Sequence, residues 1–257
     1  MSGEPSEINL RLCEGPFSIV RTGAPHPHDL YEHLRPSQTP AILFDFDSAL
    51  ITHANGAAER MLGMGASHLI GQTGRAIMPP ASAPLVEVIS ASLRQESRYS
   101  GLIALRHGRH PFISQQIQMS VVSNSTCRYG INTYMPVPMQ RKGPPTLLVV
   151  DDEPSTLRAL ARLCGLWGTV RTASCGLEAV RILAQDPDIT GVLCDQNMPD
   201  ITGLAVLEAL RVFRPDLVDR FVLHSGRSRP VGITVPFLPK PASLAELRSC
   251  VSTLVSA

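Results

Sequence analysis

The chain has 257 residues, 44% of them hydrophobic and 18% charged, a composition typical of globular domains and not of disordered polypeptides. Its formal net charge of +1 gives no electrostatic reason to expect binding to nucleic acid or to an anionic membrane surface. No apolar stretch reaches the roughly 20 residues of a membrane-spanning helix, and the amino terminus lacks the features of a signal peptide. The six cysteines are widely separated, without metal-ligand spacing. We therefore expect a cytoplasmic protein with reduced thiols.

Two proline-rich stretches divide the chain. Six prolines lie within the first forty residues, which show no sustained hydrophobic periodicity, so we expect an irregular leader over residues 1–38. A second stretch, VPMQRKGPP at 137–145, has the composition of a linker. These breaks predict one domain over residues 39–138 and another over residues 145–257, each of ordinary domain size.

The first predicted domain alternates strands and helices in the order of a small α+β fold. Two short strands are expected at 41–55, an amphipathic helix around 85–93, and three strands between residues 101 and 137. The string HANGAAERMLGMGASHLIGQ at 53–72 resembles PAS domains, which implies an antiparallel sheet around a small pocket and a role in sensing or dimerisation. The alternative is another small α+β module.

The same segment gives no sign of a known PAS cofactor. Flavin-binding PAS domains carry a reactive cysteine where this chain has GRAIM at 74–78, and haem-binding ones use a helix histidine that is missing from 84–96. His107 and His110 have metal-binding chemistry, but they lie in a predicted strand-to-strand turn, where solvated histidines are commoner. We expect no PAS ligand, and a possible homodimer through this domain.

The second predicted domain contains five apolar runs that alternate with helical patterns. This alternation predicts a doubly wound α/β fold, with a five-stranded parallel sheet covered by helices on both faces. The predicted strands are 147–150, 169–172, 191–194, 220–223 and 235–238. Ligands of such sheets bind beyond the carboxyl ends of the strands.

Polar residues follow four of these strands directly. Asp151 and Asp152 come after the first strand, and Asp195, Ser225 and Lys240 come after the third, fourth and fifth. Clustered carboxylates favour Mg²⁺, a cation that prefers oxygen ligands. A lysine and a hydroxyl beside the cation would orient a phosphoryl group for attack by a carboxylate oxygen, which gives an acyl phosphate.

Four strings in this order resemble the receiver domains of bacterial response regulators: VVDDEP at 149–154, CDQNMPDITG at 194–203, LHSG at 223–226 and PFLPKP at 236–241. The resemblance implies that Asp195 is the phosphoacceptor. It also implies that Asp151 and Asp152 form the acidic pair, and that Asp152, Asp195 and the backbone carbonyl of Asn197 hold Mg²⁺. Lys240 would pair with the phosphoryl oxygens.

The resemblance assigns the switch and the lifetime of the acyl phosphate to further positions. Ser225 would hydrogen-bond the transferred phosphoryl group, and Phe237 would be the aromatic residue whose rotamer changes with it. Asn197 and Arg227 occupy positions that tune dephosphorylation in relatives. One departure is the stretch between Ser225 and Lys240, which is too short and too broken by proline and glycine for the usual fourth helix. The output face that includes this helix in relatives must therefore differ here.

Together these features predict a two-component phosphorelay response regulator. It would accept a phosphoryl group on Asp195 from a histidine kinase or a histidine phosphotransfer protein, and signal by protein–protein contacts. It would not be an enzyme beyond its own Mg²⁺-dependent phosphoryl transfer and autodephosphorylation, because the short linker has no room for a kinase core and no DNA-binding or nucleotide-cyclase motif is present. Two alternatives stay open: a phosphate-sink receiver, or the PAS and receiver portion of a hybrid histidine kinase system that acts with a separate kinase.

Overall fold

In the computed structural model, residues 26–107, 110–124, 126–135, 141–226 and 234–255 are described. The amino-terminal domain is built on one antiparallel sheet with strand order β2-β1-β5-β4-β3. Its strands are β1 (Ala41–Asp45), β2 (Ile51–Ala54), β3 (Arg98–His107), β4 (His110–Ser123) and β5 (Arg128–Met135). Its helices are α1 (Pro27–Leu34), α2 (Gly56–Leu62), α3 (Ala66–Leu69) and α4 (Ala83–Glu96). The α+β fold with a five-stranded antiparallel sheet is the one predicted.

Helix α1 lies within the segment that was predicted to be an irregular leader. For residues 27–34 that prediction was wrong, because a proline breaks a helix only when it lies beyond the first turn. Pro27 occupies the first helical turn, where a missing backbone N–H costs nothing. Leu30 and Leu34, four residues apart on one face of the helix, are buried against β1 and β5.

Asn55, at the start of α2, connects the chain segments around it. Its side-chain oxygen accepts hydrogen bonds from the backbone N–H groups of Ala58 and Ala41 at 2.9 and 3.0 Å. Its amide group donates to the carbonyls of Leu34 and Thr39 at 3.0 and 2.9 Å. One buried side chain therefore caps α2 and holds the connection from α1 to β1 in place.

The carboxy-terminal domain is the predicted doubly wound α/β fold. All strand pairs of its sheet are parallel, and the strand order is β10-β9-β8-β6-β7. The strands are β6 (Thr146–Val150), β7 (Thr169–Ala173), β8 (Ile189–Asp195), β9 (Phe221–Ser225) and β10 (Phe237–Pro239). The helices are α5 (Pro154–Cys164), α6 (Gly176–Gln185), α7 (Gly203–Phe213) and α8 (Leu244–Val255).

The helices cover both faces of this sheet. Residues of α5 and α8, among them Leu160 and Val251, pack on one face against Leu147 and Val149. Helices α6 and α7 cover the other face, where Val180 and Leu207 are fully buried. In the described part of the segment between β9 and β10 there is no helix, whereas residues 227–233 lie outside the described ranges.

The two domains pack against each other through α6 and α7. Helix α4 and strand β3 contact α6, and α4, β3, β4 and the 3₁₀ helix Pro80–Ser82 contact α7. One continuous apolar cluster includes buried residues of both domains. Within the described ranges, no helix combines the length and the apolar character needed to cross a bilayer.

Candidate functional site

The carboxyl edge of the parallel sheet brings together residues from four strands. Asp151 directly follows β6, Asp195 and Ser225 are the last residues of β8 and β9, and Lys240 directly follows β10. Neighbouring parallel strands end at the same edge, so residues up to 89 positions apart in sequence become neighbours. These are four of the positions that the sequence predicts for the site.

Lys240 links the two buried carboxylates of the site. Its Nζ lies 2.6 Å from Oδ2 of Asp151 and 2.8 Å from Oδ1 of Asp195. The side chains of Asp151 and Asp195 are only 1% and 8% exposed, whereas that of Lys240 is 26% exposed. Two carboxylates so close together would repel each other strongly, and the ammonium between them offsets part of that repulsion.

The pKa of Lys240 reflects two opposing effects. Burial lowers it, but the hydrogen bonds and charges of Asp151 and Asp195 outweigh burial and leave the pKa above its ordinary value. Lys240 is therefore a cation at neutral pH. A permanent positive charge next to two carboxylates favours the approach of an anionic group such as a phosphoryl group.

Backbone amides orient the carboxylates. Oδ1 of Asp151 accepts a hydrogen bond of 3.0 Å from the N–H of Glu153, and Oδ2 of Asp195 accepts one of 3.1 Å from the N–H of Asn197. The Asn197 side chain donates from Nδ2 to Oγ of Ser225 at 3.3 Å. Ser225, which is 1% exposed, is thus held next to the loop that follows Asp195.

The residues expected to bind Mg²⁺ include Asp152 and the two buried carboxylates. Asp152 is exposed, and no group of three histidine, cysteine or acidic residues lies close enough to hold a metal among the described residues. Mg²⁺ commonly uses only one or two carboxylates and keeps several waters. The oxygens of Asp151 and Asp195 therefore fit Mg²⁺ chemically, with Asp152 next in sequence.

Of the two remaining predicted site residues, Phe237 lies in the described structure and Arg227 does not. Phe237 begins β10 and is partly buried against the apolar cluster that α6 and α7 cover. Its neighbour across the strand pair is Leu223. Arg227 lies outside the described residues, so its predicted role in dephosphorylation stays a prediction.

His224 is a site neighbour that sequence reasoning missed. It is 4% exposed, and neither of its ring nitrogens has a hydrogen-bond partner within the described part of the chain. Burial, and then the charge of Lys240, lowers the pKa of His224 to about 4. The strands place it in register with Asp195 and Leu238. The signal in the sequence was a polar residue inside the otherwise apolar run FVLHS.

Two residues of the loop after Asp195 were also missed. Asp200 accepts hydrogen bonds from the N–H groups of Gly176 and Leu177 at 3.1 and 2.8 Å, at the first turn of α6. Gly203 begins α7, and a Cβ atom there would lie 2.4 Å from the carbonyl oxygen of Asp195. The string PDITG thus connects the loop after Asp195 to two helices.

The amino-terminal domain encloses a cavity of about 330 Å³. Its lining is mainly apolar and includes Ile89 and Leu93 of α4, with Asn132 and Tyr134 contributed by β5. The predicted absence of a ligand stays a prediction. His107 and His110 pair across the turn between β3 and β4, and the side chain of His110 is outside the described part.

The carboxy-terminal domain is similar to known proteins. Residues 147–226 match the family model of the response regulator receiver domain. The sensor kinase CckA of Brucella abortus is 32% identical over 122 residues, which are 44% of this chain and 13% of that protein. The transcriptional regulatory protein PrrA of Mycobacterium tuberculosis is 38% identical over 119 residues, 43% of this chain and 50% of that protein. The chain thus spans between about an eighth and a half of the length of these relatives.

Solved structures resemble each domain separately. One is the receiver domain of the hybrid histidine kinase CckA, which is 28% identical to this chain and superposes with a TM-score of 0.37. The match covers 43% of this chain and 99% of the CckA receiver chain. Another is a PAS domain from a two-component sensor histidine kinase, which is 11% identical and superposes with a TM-score of 0.36. The match covers 42% of this chain and 93% of that PAS domain chain. The carboxy-terminal domain therefore contains a response regulator receiver domain over residues 147–226. The α+β domain that precedes it has the expected five-stranded antiparallel sheet, and we call it the PAS-like domain after the resemblance in its sequence.

Proposed function

We propose that the protein is a response regulator of a two-component system and that Asp195 accepts a phosphoryl group from a histidine kinase or a histidine phosphotransfer protein. The observation that carries this proposal is the ion-pair cluster in which Lys240 joins Asp151 and Asp195. Because a cytoplasmic kinase domain is the expected donor, we also propose a cytoplasmic location. We also propose that the second domain spans residues 145–257 and that the first, predicted at 39–138, includes α1 as well.

In the proposed reaction a carboxylate oxygen of Asp195 attacks phosphorus in line with the bond to the donor. A new oxygen–phosphorus bond forms, the phosphorus–nitrogen bond to the donor histidine breaks, and its electron pair stays on the histidine nitrogen. Asp151, Asp152 and the carbonyl of Asn197 would share Mg²⁺ with Asp195, and the cation would neutralise charge on the phosphoryl oxygens.

The side chains around the acceptor then hold the product. Lys240 would pair with a phosphoryl oxygen, and the hydroxyl of Ser225 would donate to another. Phe237 would adjust its rotamer when Ser225 moves, which makes it the switch residue. Asn197 and Arg227 would set how quickly water removes the phosphoryl group, since both lie within a few residues of the acceptor or of Ser225.

A test uses the full chain with Mg²⁺ and acetyl phosphate, read by intact mass spectrometry. Wild type should gain the mass of one phosphoryl group, and Asp195→Asn should not. Asp219→Asn is a matched control, because Asp219 is an exposed aspartate of the same domain. Absence of a mass gain in wild type under these conditions would falsify the proposal.

Two alternative functions, a phosphate sink and a portion of a hybrid kinase system, predict different effects of phosphorylation. A phosphate sink would gain and lose the phosphoryl group without any change in oligomeric state or conformation. A regulator that signals by protein contacts should change one of them, which light scattering and hydrogen exchange detect. A portion of a hybrid kinase system would take its phosphoryl group from one separate kinase much faster than from unrelated kinases.

A further inference from the structure

The amino ends of α6 and α7 contact the loop that follows the phosphoacceptor. Asp200 of this loop accepts hydrogen bonds from the first turn of α6. Ile201 packs so closely on α6 that a Cβ on Gly176 would lie 2.4 Å from its Cγ1. Gly203, the first residue of α7, lies directly against the carbonyl of Asp195. A shift of this loop therefore has to move the start of both helices.

The carboxyl ends of the same two helices contact the PAS-like domain. Gly101 of β3 approaches α6 so closely that a Cβ there would lie 2.9 Å from the carbonyl oxygen of Ala184, and it would also lie 2.6 Å from the hydroxyl of Tyr99 in the same strand. Ser114 of β4 donates a 2.8 Å hydrogen bond from Oγ to the carbonyl of Phe213, the last residue of α7. Both helices thus extend from the phosphoacceptor loop to the sheet of the other domain.

Helices α6 and α7 pack on the parallel sheet and also on α4 and β3 of the other domain. Helix α7 has the sequence GLAVLEALRVF, in which apolar residues surround nearly the whole helix, a pattern typical of a helix buried on more than one side. One side packs on the parallel sheet, and another packs on α4, where Leu85 is buried. A packed interface of this kind shifts between discrete arrangements and does not deform continuously.

We propose that the face formed by α6 and α7 is the output surface of this receiver domain, and that its partner is the PAS-like domain of the same chain. Phosphorylation of Asp195 would move the loop at residues 196–202, and the two helices would carry that movement to β3, β4 and α4. The inference rests on the proposed function, since it requires a phosphoryl group on Asp195. It also supplies an output route that does not use a helix between β9 and β10.

Helix α4 is the element in which the response is best measured. It contacts α6 and α7 on one side, and its residues Val86, Ile89 and Leu93 line the cavity on the other. The full chain would be phosphorylated with acetyl phosphate and Mg²⁺, and amide hydrogen exchange of residues 83–96 would be followed by mass spectrometry. A coupling at the low end of the usual range changes these exchange rates by about fivefold.

A pair of glycine variants tests the route. Gly101→Ala places a methyl group against the Ala184 carbonyl and against the Tyr99 hydroxyl of its own strand and should separate β3 from α6, whereas Gly65→Ala adds a methyl group with nothing within 4 Å. Gly101→Ala should still accept the phosphoryl group but lose the exchange response in α4, and Gly65→Ala should behave as wild type. Ser114→Ala removes only the hydrogen bond to Phe213 and should weaken the response without adding bulk.

The outcomes separate this inference from the proposed function. A wild-type mass gain with unchanged exchange in residues 83–96 overturns the inference and leaves the phosphoacceptor intact. A full response in both Gly101→Ala and Ser114→Ala overturns it as well. No mass gain in wild type overturns the proposed function, and this inference with it.

Discussion

Lys240 and Asp151, 89 positions apart in sequence, form an ion pair of 2.6 Å at the carboxyl edge of the receiver sheet. Asp195 shares the same ammonium at 2.8 Å. The geometry means that Lys240 supplies positive charge to two carboxylates that lie close together inside the protein. Under the proposed function, Lys240 and Mg²⁺ would stabilise the same pair of carboxylates.

The first prediction concerns Lys240→Met, which keeps the alkyl chain and removes the charge. The carboxylates of Asp151 and Asp195 would lose their cation, so the free energy of unfolding should fall by roughly 1–3 kcal/mol in Mg²⁺-free buffer, less than for a fully buried pair because Lys240 is partly exposed. Millimolar Mg²⁺ should restore much of this loss. Urea unfolding with and without Mg²⁺ measures both effects.

Lys142→Met is the matched control, because Lys142 is exposed and contacts Asp188 only through its backbone N–H. It should leave the unfolding free energy within about 0.5 kcal/mol of wild type. Equal destabilisation of the two variants, or no effect of Mg²⁺ on Lys240→Met, would contradict the assignment of the cation site.

The second prediction concerns the hydroxyl of Ser225. Ser225→Ala removes the donor that is expected to bind the transferred phosphoryl group, and a hydrogen bond to a charged group contributes roughly 1.5–3 kcal/mol. Phosphorylation by acetyl phosphate should therefore slow by about 10- to 100-fold. The Ser225→Thr variant keeps a hydroxyl and should stay near the wild-type rate. A wild-type rate in Ser225→Ala would show that the hydroxyl takes no part.

The third prediction concerns pH and His224. The pKa of His224 is lowered to about 4 in the folded protein, whereas an unfolded histidine has a pKa of about 6.5. Between these values the unfolded chain binds a proton that the folded protein does not, so the free energy of unfolding falls as pH drops from about 6.5 to 4, by roughly 3 kcal/mol at most. Urea titrations across this range detect the change.

His224→Leu should flatten that pH dependence. It should also raise the unfolding free energy at pH 7 by about 1–2 kcal/mol, because the ring nitrogens buried without a partner in the described structure are replaced by carbon. The exposed His68 offers the control His68→Leu, which should keep the wild-type slope. An unchanged slope in His224→Leu would rule out His224 as its source.

The fourth prediction concerns Arg214, which is 8% exposed at the end of α7. Its guanidinium donates to the carbonyls of Leu183, Asp186 and Ile189 and to the carboxylate of Asp216. Arg214→Met leaves those carbonyls without this donor, and we expect a loss of about 2–4 kcal/mol in unfolding free energy.

Arg211→Met is the control for this experiment, since Arg211 lies in the same helix and forms only an exposed pair with Glu208. That change should cost under about 0.5 kcal/mol. Similar melting temperatures for the two variants would show that the buried hydrogen bonds of Arg214 contribute little.

Much of the receiver domain could be predicted from local patterns. Each buried parallel strand is a short apolar run, and the residue that follows it faces the shared edge of the sheet. The positions of Asp151, Asp195, Ser225 and Lys240 were therefore predictable without coordinates. The antiparallel sheet of the first domain was predictable for a similar reason, since its strands and helices follow in a recognisable order.

Other features depend on contacts between distant segments. The hydrophobic residues of α7 show that the helix is buried, but only the tertiary structure shows that the PAS-like domain covers it. The same holds for His224 and Arg214, because the burial of His224 against other strands and the bonds from Arg214 to the carbonyls of Leu183 and Ile189 join segments that are distant in sequence.

The sequence by itself determined the chemistry of the carboxyl edge, because strand ends and side-chain types are local properties. Only the tertiary structure decided that Lys240 joins Asp151 to Asp195 and that α6 and α7 connect the loop after Asp195 to the other domain. Those relationships depend on how separate elements pack together, and packing depends on shape and distance across the whole molecule.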